Sequence, residues 1–296
     1  MGSSASFRMQ APKSFRASQF EQHARTTDFL PPAFELIPRL LVLLDDAETN
    51  CDTLADLIHV DAGLTTNVLR VANSPALGGG VRAESLPQAI IRLGLREIYR
   101  LLTTIITSPN VMNLDGFGFQ RIDLWQHSVG SAVAAQILAR NVPSQDPEVA
   151  YTTALLHDIG KLVMAQVAKA DYLALLDSCK DNNQPHYRAE QQAYQTDHAH
   201  IGSMLLKRWR FPEEIVGAIK FHHDLGHVPE EARHLASLIY ASNIVAYRLN
   251  LGSGFPDYAV DPDAAALEPI GVQPAELADY EREVLTTFQR EQQRLW

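Results

Sequence analysis

The sequence predicts an all-α protein. Apolar residues recur at three- and four-residue spacing through most of the chain, which is the period of an amphipathic helix. No stretch shows the clear alternation of apolar and polar residues, bounded by turn signals, that is typical of half-buried strands. With 296 residues, 46% of them hydrophobic, the chain is long enough for one large domain or two lobes that share an interface.

The first 115 residues predict a tail followed by a helical lobe. Residues 1–29 are polar and without period, so we expect a disordered tail. Helical spacing begins at "LPPAFELIPRLLVLLDD", where Pro31 and Pro32 can open a helix, and continues in "TLADLIHVDAGLTTNVLRVANSP". "NSPALGGG" is a predicted loop, and "SLPQAIIRLGLREIYRLLTTII" predicts two short helices that meet at Gly94. We therefore place an N-terminal lobe at 30–115.

A second helical lobe is predicted over 120–250, after a loop-like tract at 109–122. "DLWQHSVGSAVAAQILAR" is helical with mostly small residues on one face, and "DPEVAYTTALLHDIGKLVMAQV" is helical with an expected break at Gly160. Three further helices are predicted in "HAHIGSMLLKRWRF", "PEEIVGAIKFHHD" and "ARHLASLIYASNIVAYRL". Residues 251–263 are a predicted linker. The amphipathic helix expected at 274–295 either docks a partner or covers the domain's own core.

Composition narrows the classes of function. The formal net charge of −10 argues against broad contact with nucleic acid, which gains affinity from Lys and Arg. Arg92, Arg96 and Arg100 share one helical face, and we expect that face to be solvated. No apolar run approaches the roughly 18 residues that a membrane span needs, and no secretory signal is visible. The two cysteines match no metal or redox spacing, so we expect free thiols and a cytoplasmic protein.

Histidines carry the most specific chemical signal. "LLHDIGKLV" places His157 and Asp158 inside an apolar stretch, where ionisable groups need partners or a metal. Imidazole and carboxylate ligands suit divalent Fe, Mn or Zn. Histidines on the other predicted helices of the second lobe could supply further ligands, although a single buried histidine is more often a hydrogen-bonded core residue. These are His127, His198, His200, His222 and His223.

"LLHDIGKLV" with the upstream "WQHS" resembles the HD phosphohydrolase superfamily. A closer resemblance, from about Leu30 to Leu249, is to the HDOD domain, the HD-related output domain of bacterial signalling proteins. It rests on "LADLIHVDAGLTTNVLRVANSPALG", "LPQAIIRLGLREIYRLL" and "DHAHIGSMLLKRWRFPEEIVGAIKFHHD" as well as on the first predicted helix. The resemblance implies an all-α fold whose second lobe is an HD-like helical bundle. It also implies a set of metal ligands, which here would be His127, His157, Asp158, His198, His222 and His223.

The same resemblance implies a function with alternatives. Members are mostly regulatory modules, and here Asn243 stands where the enzymes place their last metal-binding aspartate, while Ala199 replaces a proline. The leading expectation is a non-enzymatic signalling module that acts through protein partners or a nucleotide messenger. It has no assigned catalytic residue, and any metal is expected to be single or weakly held. The alternative is a metal-dependent phosphohydrolase acting on a nucleotide or cyclic dinucleotide. In that enzyme Lys161 would contact a phosphate oxygen. The structural alternative for Lys161 is a solvated charge at a helix end. A DNA-binding regulator using 86–102 is the third possibility.

Overall fold

A computed structural model describes residues 15–26, 32–46, 49–74, 82–109, 120–182, 184–252 and 262–295. These residues form α-helices and short 3₁₀ turns without a strand, which confirms the predicted fold class. The helices are α1 (Ala17–Thr26), α2 (Leu36–Asp45), α3 (Cys51–His59), α4 (Ala62–Ala72), α5 (Leu86–Leu93), α6 (Leu95–Ile106), α7 (Gln120–Ala139), α8 (Pro147–Leu156), α9 (Ile159–Ala168), α10 (Ala170–Asn182), α11 (His186–Tyr194), α12 (His198–Arg208), α13 (Glu213–Phe221), α14 (Arg233–Arg248), α15 (Ala264–Leu267) and α16 (Leu277–Leu295). Within the described ranges, no helix is both long and apolar enough to cross a membrane.

Local sequence signals mark several helix boundaries among α3 to α6. The Asn50 side chain accepts hydrogen bonds from two backbone N–H groups at the start of α3, and Asp61 does the same for α4. Gly94, at φ +84°, separates α5 from α6 and confirms the predicted pair of short helices. Most of the predicted loop "NSPALGGG" and most of the tract proposed as a lobe boundary lie outside the described residues.

Helix α6 joins these helices to the second half of the chain. It packs against α8, where the Tyr99 hydroxyl lies 2.6 Å from Thr152 Oγ1. Arg96 forms an ion pair with Asp146, and Arg100 forms ion pairs with Glu97 and Glu291. The expectation of a solvated arginine face is therefore wrong for Arg100, whose side chain is only 17% exposed. The Arg100 guanidinium forms an ion pair that links α6 to α16.

Helix α7 is the centre of the second half. It packs against α8, α14 and α16, and its small residues, as predicted, allow these helices to approach closely. A Cβ on Gly130 would lie 2.7 Å from the Leu251 side chain, which follows α14. This packing brings His127 on α7 beside the segment that joins α8 to α9.

The predicted helix break at Gly160 is wrong by two residues. Helix α8 ends at Leu156 and α9 begins at Ile159, so the break falls on His157 and Asp158. Gly160 lies inside α9, where a Cβ would come within 1.9 Å of the His198 carbonyl oxygen of α12. The glycine therefore permits close packing of two helices and does not end a helix.

The N-terminal tail also needs a correction. Residues 17–26, expected to be disordered, form α1, which packs against α9 and α12. The polar sequence conceals a small apolar face, since Phe20 and Ala24 are fully buried. The Phe20 ring lies 5.0 Å from the ring of Tyr194, centroid to centroid. Residues 1–14 and 27–29 lie outside the described residues.

Helix α16 covers the core of its own chain. It packs on α7 and α14 and buries Leu277, Val284 and Phe288, as one of the two predicted alternatives requires. The preceding predicted linker lies mostly outside the described residues, and α15 follows it. Cys51 and Cys179 are free thiols, as expected.

Candidate metal centre

The six predicted ligands come together in one cluster. His127 is on α7, His157 and Asp158 connect α8 to α9, His198 is the first residue of α12, and the last two follow α13. Ring centroids of neighbouring histidines in the cluster lie between 3.9 and 5.6 Å apart. Five of the six residues are at most 1% exposed, and the sixth, His223, is half-buried. The cluster therefore lies inside the bundle with one edge near its surface.

One half of the cluster consists of His127, His157 and Asp158, whose nearest ligand atoms all lie within 4.8 Å of one another. His157 Nδ1 donates to the Ala154 carbonyl oxygen at 2.6 Å, so Nε2 carries the lone pair of the neutral ring. Burial, helped by the neighbouring His222 and His127, outweighs the opposing effect of Asp158 and lowers the pKa of His157 to about 3. A neutral imidazole with a fixed Nε2 lone pair is the form that binds metal ions.

The other half consists of His198, His222 and His223, again with ligand atoms within 4.8 Å of one another. His222 Nδ1 donates to the Ile219 carbonyl oxygen at 2.6 Å, which leaves its Nε2 directed away from its own helix. His198 Nε2 and His223 Nε2 lie 2.9 Å apart. Two nitrogens bound to one zinc ion at about 2.0–2.1 Å are separated by about 3.3 Å, so this pair is close to ligand spacing.

Asp158 connects the two halves. Its Oδ1 lies 3.1 Å from His198 Nε2, and its Oδ2 lies 3.4 Å from His157 Nε2. Burial opposes ionisation of this carboxyl, but the Lys161 ammonium and the protonated His198 outweigh burial and hold its pKa well below the usual range. Asp158 is therefore an ionised carboxylate between two groups of imidazoles.

Lys161 is a buried partner of that carboxylate. Its side chain is fully buried, and Nζ donates to Asp158 Oδ2 at 2.8 Å. The interpretation of Lys161 as a solvated charge at a helix end is therefore wrong. Contact between this ammonium and a phosphate oxygen stays a prediction, and it would compete with the ion pair.

Glu190 is the important residue that the sequence did not reveal. It is fully buried on α11 and accepts hydrogen bonds from the His198 backbone N–H at 2.8 Å and from the Tyr172 hydroxyl at 2.6 Å. His198 Nδ1 also lies 2.7 Å from its carboxylate. Burial alone would lower the pKa of His198, but Glu190 and Asp158 raise it to about 10. In its polar segment, "HYRAEQQAY", nothing distinguishes Glu190 from an exposed residue.

A glycine pair fixes the distance between the helices that carry Asp158 and His198. Gly160 of α9 and Gly202 of α12 face each other, and a Cβ on Gly202 would lie 3.1 Å from the Gly160 backbone nitrogen. The backbones can approach this closely only because neither residue has a side chain. The contact holds the Asp158 carboxylate beside the His198 ring.

Two other residues named in the sequence analysis, His200 and Asn243, are not among the six cluster residues. His200 is not part of the cluster, because its ring faces α1 with Nε2 3.7 Å from Glu21 Oε1. Asn243 on α14 is fully buried, and neither polar atom of its amide has a hydrogen-bond partner among the described residues. A buried polar group without a partner is costly, so the Asn243 amide is a further donor or acceptor that a bound group could satisfy.

The donor set is suited to a divalent metal ion. His157 Nε2 has no hydrogen-bond partner within the described part of the chain, although its ring is fixed through Nδ1. His198 is oriented by Glu190 in the carboxylate–histidine arrangement that supports metal ligands. Imidazoles with one carboxylate favour Zn, Fe or Mn over the oxygen-loving Mg or Ca.

Comparisons with known proteins agree with this fold and show the family. The family model of the HDOD domain matches residues 30–225, and the chain belongs to this family. An uncharacterized protein of Treponema pallidum (strain Nichols) is 27% identical over 202 residues, which are 68% of this chain and 39% of the relative. Ribonuclease Y of Opitutus terrae is 30% identical over 122 residues, which are 41% of this chain and 18% of the enzyme. The chain thus spans less than half the length of these curated relatives.

Solved structures with the same fold have similar lengths or are longer. An HDOD domain protein of unknown function from Geobacter sulfurreducens has a TM-score of 0.72 at 23% identity, covering 92% of this chain and 97% of its own. A candidate phosphohydrolase from Shewanella amazonensis SB2B has a TM-score of 0.68 at 22% identity, covering 94% and 98%. A candidate signal transduction protein from Marinobacter aquaeolei VT8 has a TM-score of 0.73 at 20% identity, covering 92% and 64%. At these identities the likeness shows the fold alone.

Proposed function

We propose that this chain is a non-enzymatic signalling module of the HDOD family that acts through protein partners or a nucleotide messenger. The burial of its histidine cluster carries the proposal. Five of the six cluster residues are at most 1% exposed, and Lys161 and Asn243 are fully buried. A substrate as large as a nucleotide cannot reach Asp158 or Lys161 unless the surrounding helices separate.

The charges of the buried residues also favour a site that does not perform catalysis. Asp158 and Lys161 form an ion pair, and Glu190 pairs with the protonated His198. Once His198 loses its proton to bind an ion, Glu190 supplies the one remaining negative charge around the cluster. One divalent ion brings two positive charges against this one, whereas two ions would bring four. Uncompensated buried charge is costly, and the neutral Asn243 does not reduce it. The cluster therefore favours one ion at most and does not favour a two-metal site.

An ion held by the cluster would connect helices of the second half of the chain. His127, His157, Asp158, His198, His222 and His223 would supply its ligands, and Glu190 would orient His198. When bound, such an ion is a Lewis acid that polarises a bound oxygen. In this chain the helices around the ligands exclude solvent, and Lys161 retains Asp158 in its ion pair. The proposed role of the cluster is thus to set the packing of α7, α9, α12 and α13.

A metal-dependent phosphohydrolase is the second candidate. The convergence of all six predicted ligands favours it, because a relic site could have lost several of them. The Shewanella relative of the same fold is also described as a candidate phosphohydrolase. Asn243 in place of an aspartate and the closed surroundings of the cluster weigh against this alternative.

Turnover measurements distinguish the two candidates. Protein loaded with Mn or Fe is incubated with cyclic di-GMP and with mononucleotide phosphodiesters, beside Asn243→Asp and the ligand variant His157→Ala. We expect no hydrolysis by any of the three, and tighter ion binding by Asn243→Asp because it adds a carboxylate. Hydrolysis by the unmodified chain at about 1 s⁻¹ or faster, as in ordinary enzymes, would refute the proposal. Hydrolysis by Asn243→Asp alone would assign the inactivity to the missing carboxylate and not to burial.

A further inference from the structure

His223 is the edge at which the cluster approaches the surface. Among the six cluster residues, all of which the structure describes, it is the one that is half-buried. Its Nε2 lies 2.9 Å from His198 Nε2, and its ring lies 3.9 Å from the ring of His222, centroid to centroid. His223 is therefore the cluster residue that an ion arriving from solvent would meet first.

The Tyr187 ring covers this edge. It stacks on the His223 ring with centroids 4.3 Å apart and an interplanar angle of 12°. This near-parallel spacing is typical of an offset stack, in which part of the phenol ring lies over the imidazole. Tyr187 is itself half-buried, so its other side faces the surface of the molecule.

The position of Tyr187 is fixed from two sides. It is the second residue of α11, between the fully buried His186 and the helical turn that carries Glu190. Because Glu190 bonds to both His198 and Tyr172, α11 is tied to the cluster that Tyr187 covers. On the outer side, Arg188 Nε donates to the Tyr187 hydroxyl at 3.0 Å. These contacts set the resting position of the ring over His223. Because Tyr187 is not one of the six cluster residues, its ring can rotate away without displacing a ligand.

We propose that Tyr187 is a gate that controls the passage of a divalent ion between solvent and the histidine cluster. The inference rests on the proposed capacity of the cluster to hold an ion. Tyr187 supplies no ligand atom to the cluster, so it acts on the rates of binding and release. For an ion to pass, the phenol must leave the His223 ring, and the stacking contact must break.

This role predicts a kinetic signature that differs from that of a ligand. Removal of a gate accelerates association and release together and leaves the equilibrium dissociation constant unchanged. Removal of a ligand raises the equilibrium dissociation constant. Loss of a stacking contact in the range of aromatic pairs corresponds to roughly tenfold in rate. Tyr187→Ala should show the first pattern, and His223→Ala should show the second.

The test uses the full-length chain loaded with Zn²⁺ and an excess of a chromogenic chelator. The release rate is measured for the unmodified chain, Tyr187→Ala, Tyr187→Leu and the matched control Tyr187→Phe, which keeps the ring and loses the hydroxyl. We expect release about tenfold faster from Tyr187→Ala and Tyr187→Leu, and within about twofold of the unmodified chain from Tyr187→Phe. Competition titration gives the dissociation constants, and circular dichroism verifies folding. Two variants of different bulk keep the test valid should one of them fail to fold.

Three results would refute the proposal that Tyr187 is a gate. Release at the unmodified rate from the folded variants would show that Tyr187 does not limit passage. A weakened dissociation constant with an unchanged association rate would show that Tyr187 only stabilises the bound state. An unmodified chain that holds no Zn²⁺ would also refute the gate, while leaving the non-enzymatic function standing. Conversely, hydrolysis by the unmodified chain would refute that function without affecting the release rates.

Discussion

A single methyl group added at Gly160 would enter the backbone of α12. The new Cβ of Gly160→Ala would lie 1.9 Å from the His198 carbonyl oxygen and 2.7 Å from the Gly202 nitrogen. Both atoms belong to the backbone, so no side chain can rotate away. Ordinary contact begins at 3.4 Å, and the two helices would therefore have to separate by about 1.5 Å.

The stability cost follows from this clash and from one opposing effect. Overpacking a well-packed interior costs about 1–3 kcal/mol, and a backbone clash belongs at the upper end. Alanine gains up to about 1 kcal/mol over glycine in a helix interior. Gly160 is the second residue of α9, where that gain is smaller. We expect a net loss of about 2 kcal/mol or more in the free energy of unfolding.

Urea unfolding followed by circular dichroism measures this loss, with Gly217→Ala as the matched control. A Cβ on Gly217 of α13 would lie 3.1 Å from the Ala232 Cβ, a contact that a shift of a few tenths of an ångström relieves, so this variant should lose much less stability than Gly160→Ala. The same separation would move Asp158 from His198, and ion binding should weaken in Gly160→Ala alone. Equal stability of Gly160→Ala and the unmodified chain would refute the close helix contact.

Further outcomes follow from the other contacts. Phe20→Ala removes the main buried side chain of α1, so amide hydrogen exchange across 17–26 should accelerate strongly, and unchanged protection would contradict the docking of α1. Glu190→Gln should weaken ion binding by about 10- to 100-fold in a competition titration, since it removes a charge that orients a ligand, and an unchanged affinity would exclude that role. Glu291→Gln should lower the free energy of unfolding by about 1 kcal/mol, whereas Glu283→Gln, in an exposed pair, should cost less than about 0.5 kcal/mol; equal costs would show that burial of the first pair adds nothing.

Apolar spacing predicted the helices that bury a wide face. Helices α3, α4 and α16 follow from that spacing because their buried residues repeat with the helical period. Helix α1 and helix α11 bury few side chains in otherwise polar segments, and the sequence therefore gave no comparable signal. Their existence depends on tertiary contacts, such as the one between Phe20 and Tyr194.

The sequence predicted which residues belong to the candidate site, but not their burial or their hydrogen-bond partners. The histidines and Asp158 were identified through a family resemblance, which carries residue types at matching positions. The burial of the ion pair between Lys161 and Asp158 depends on how α9, α12 and α13 close around it. The support of His198 by Glu190 depends on α11 folding back onto α12. Neither arrangement has a local sequence signal.

The central claim is that the buried histidine cluster is a closed site for at most one divalent ion. Elemental analysis of the purified full-length chain, after exposure to Zn, Mn and Fe and removal of loosely bound metal, measures the number of ions per chain. X-ray absorption at the metal edge identifies the ligands. We predict one ion or fewer per chain, bound mainly by imidazole nitrogen. Two ions per chain, held with oxygen ligands from exchangeable solvent, would contradict the claim.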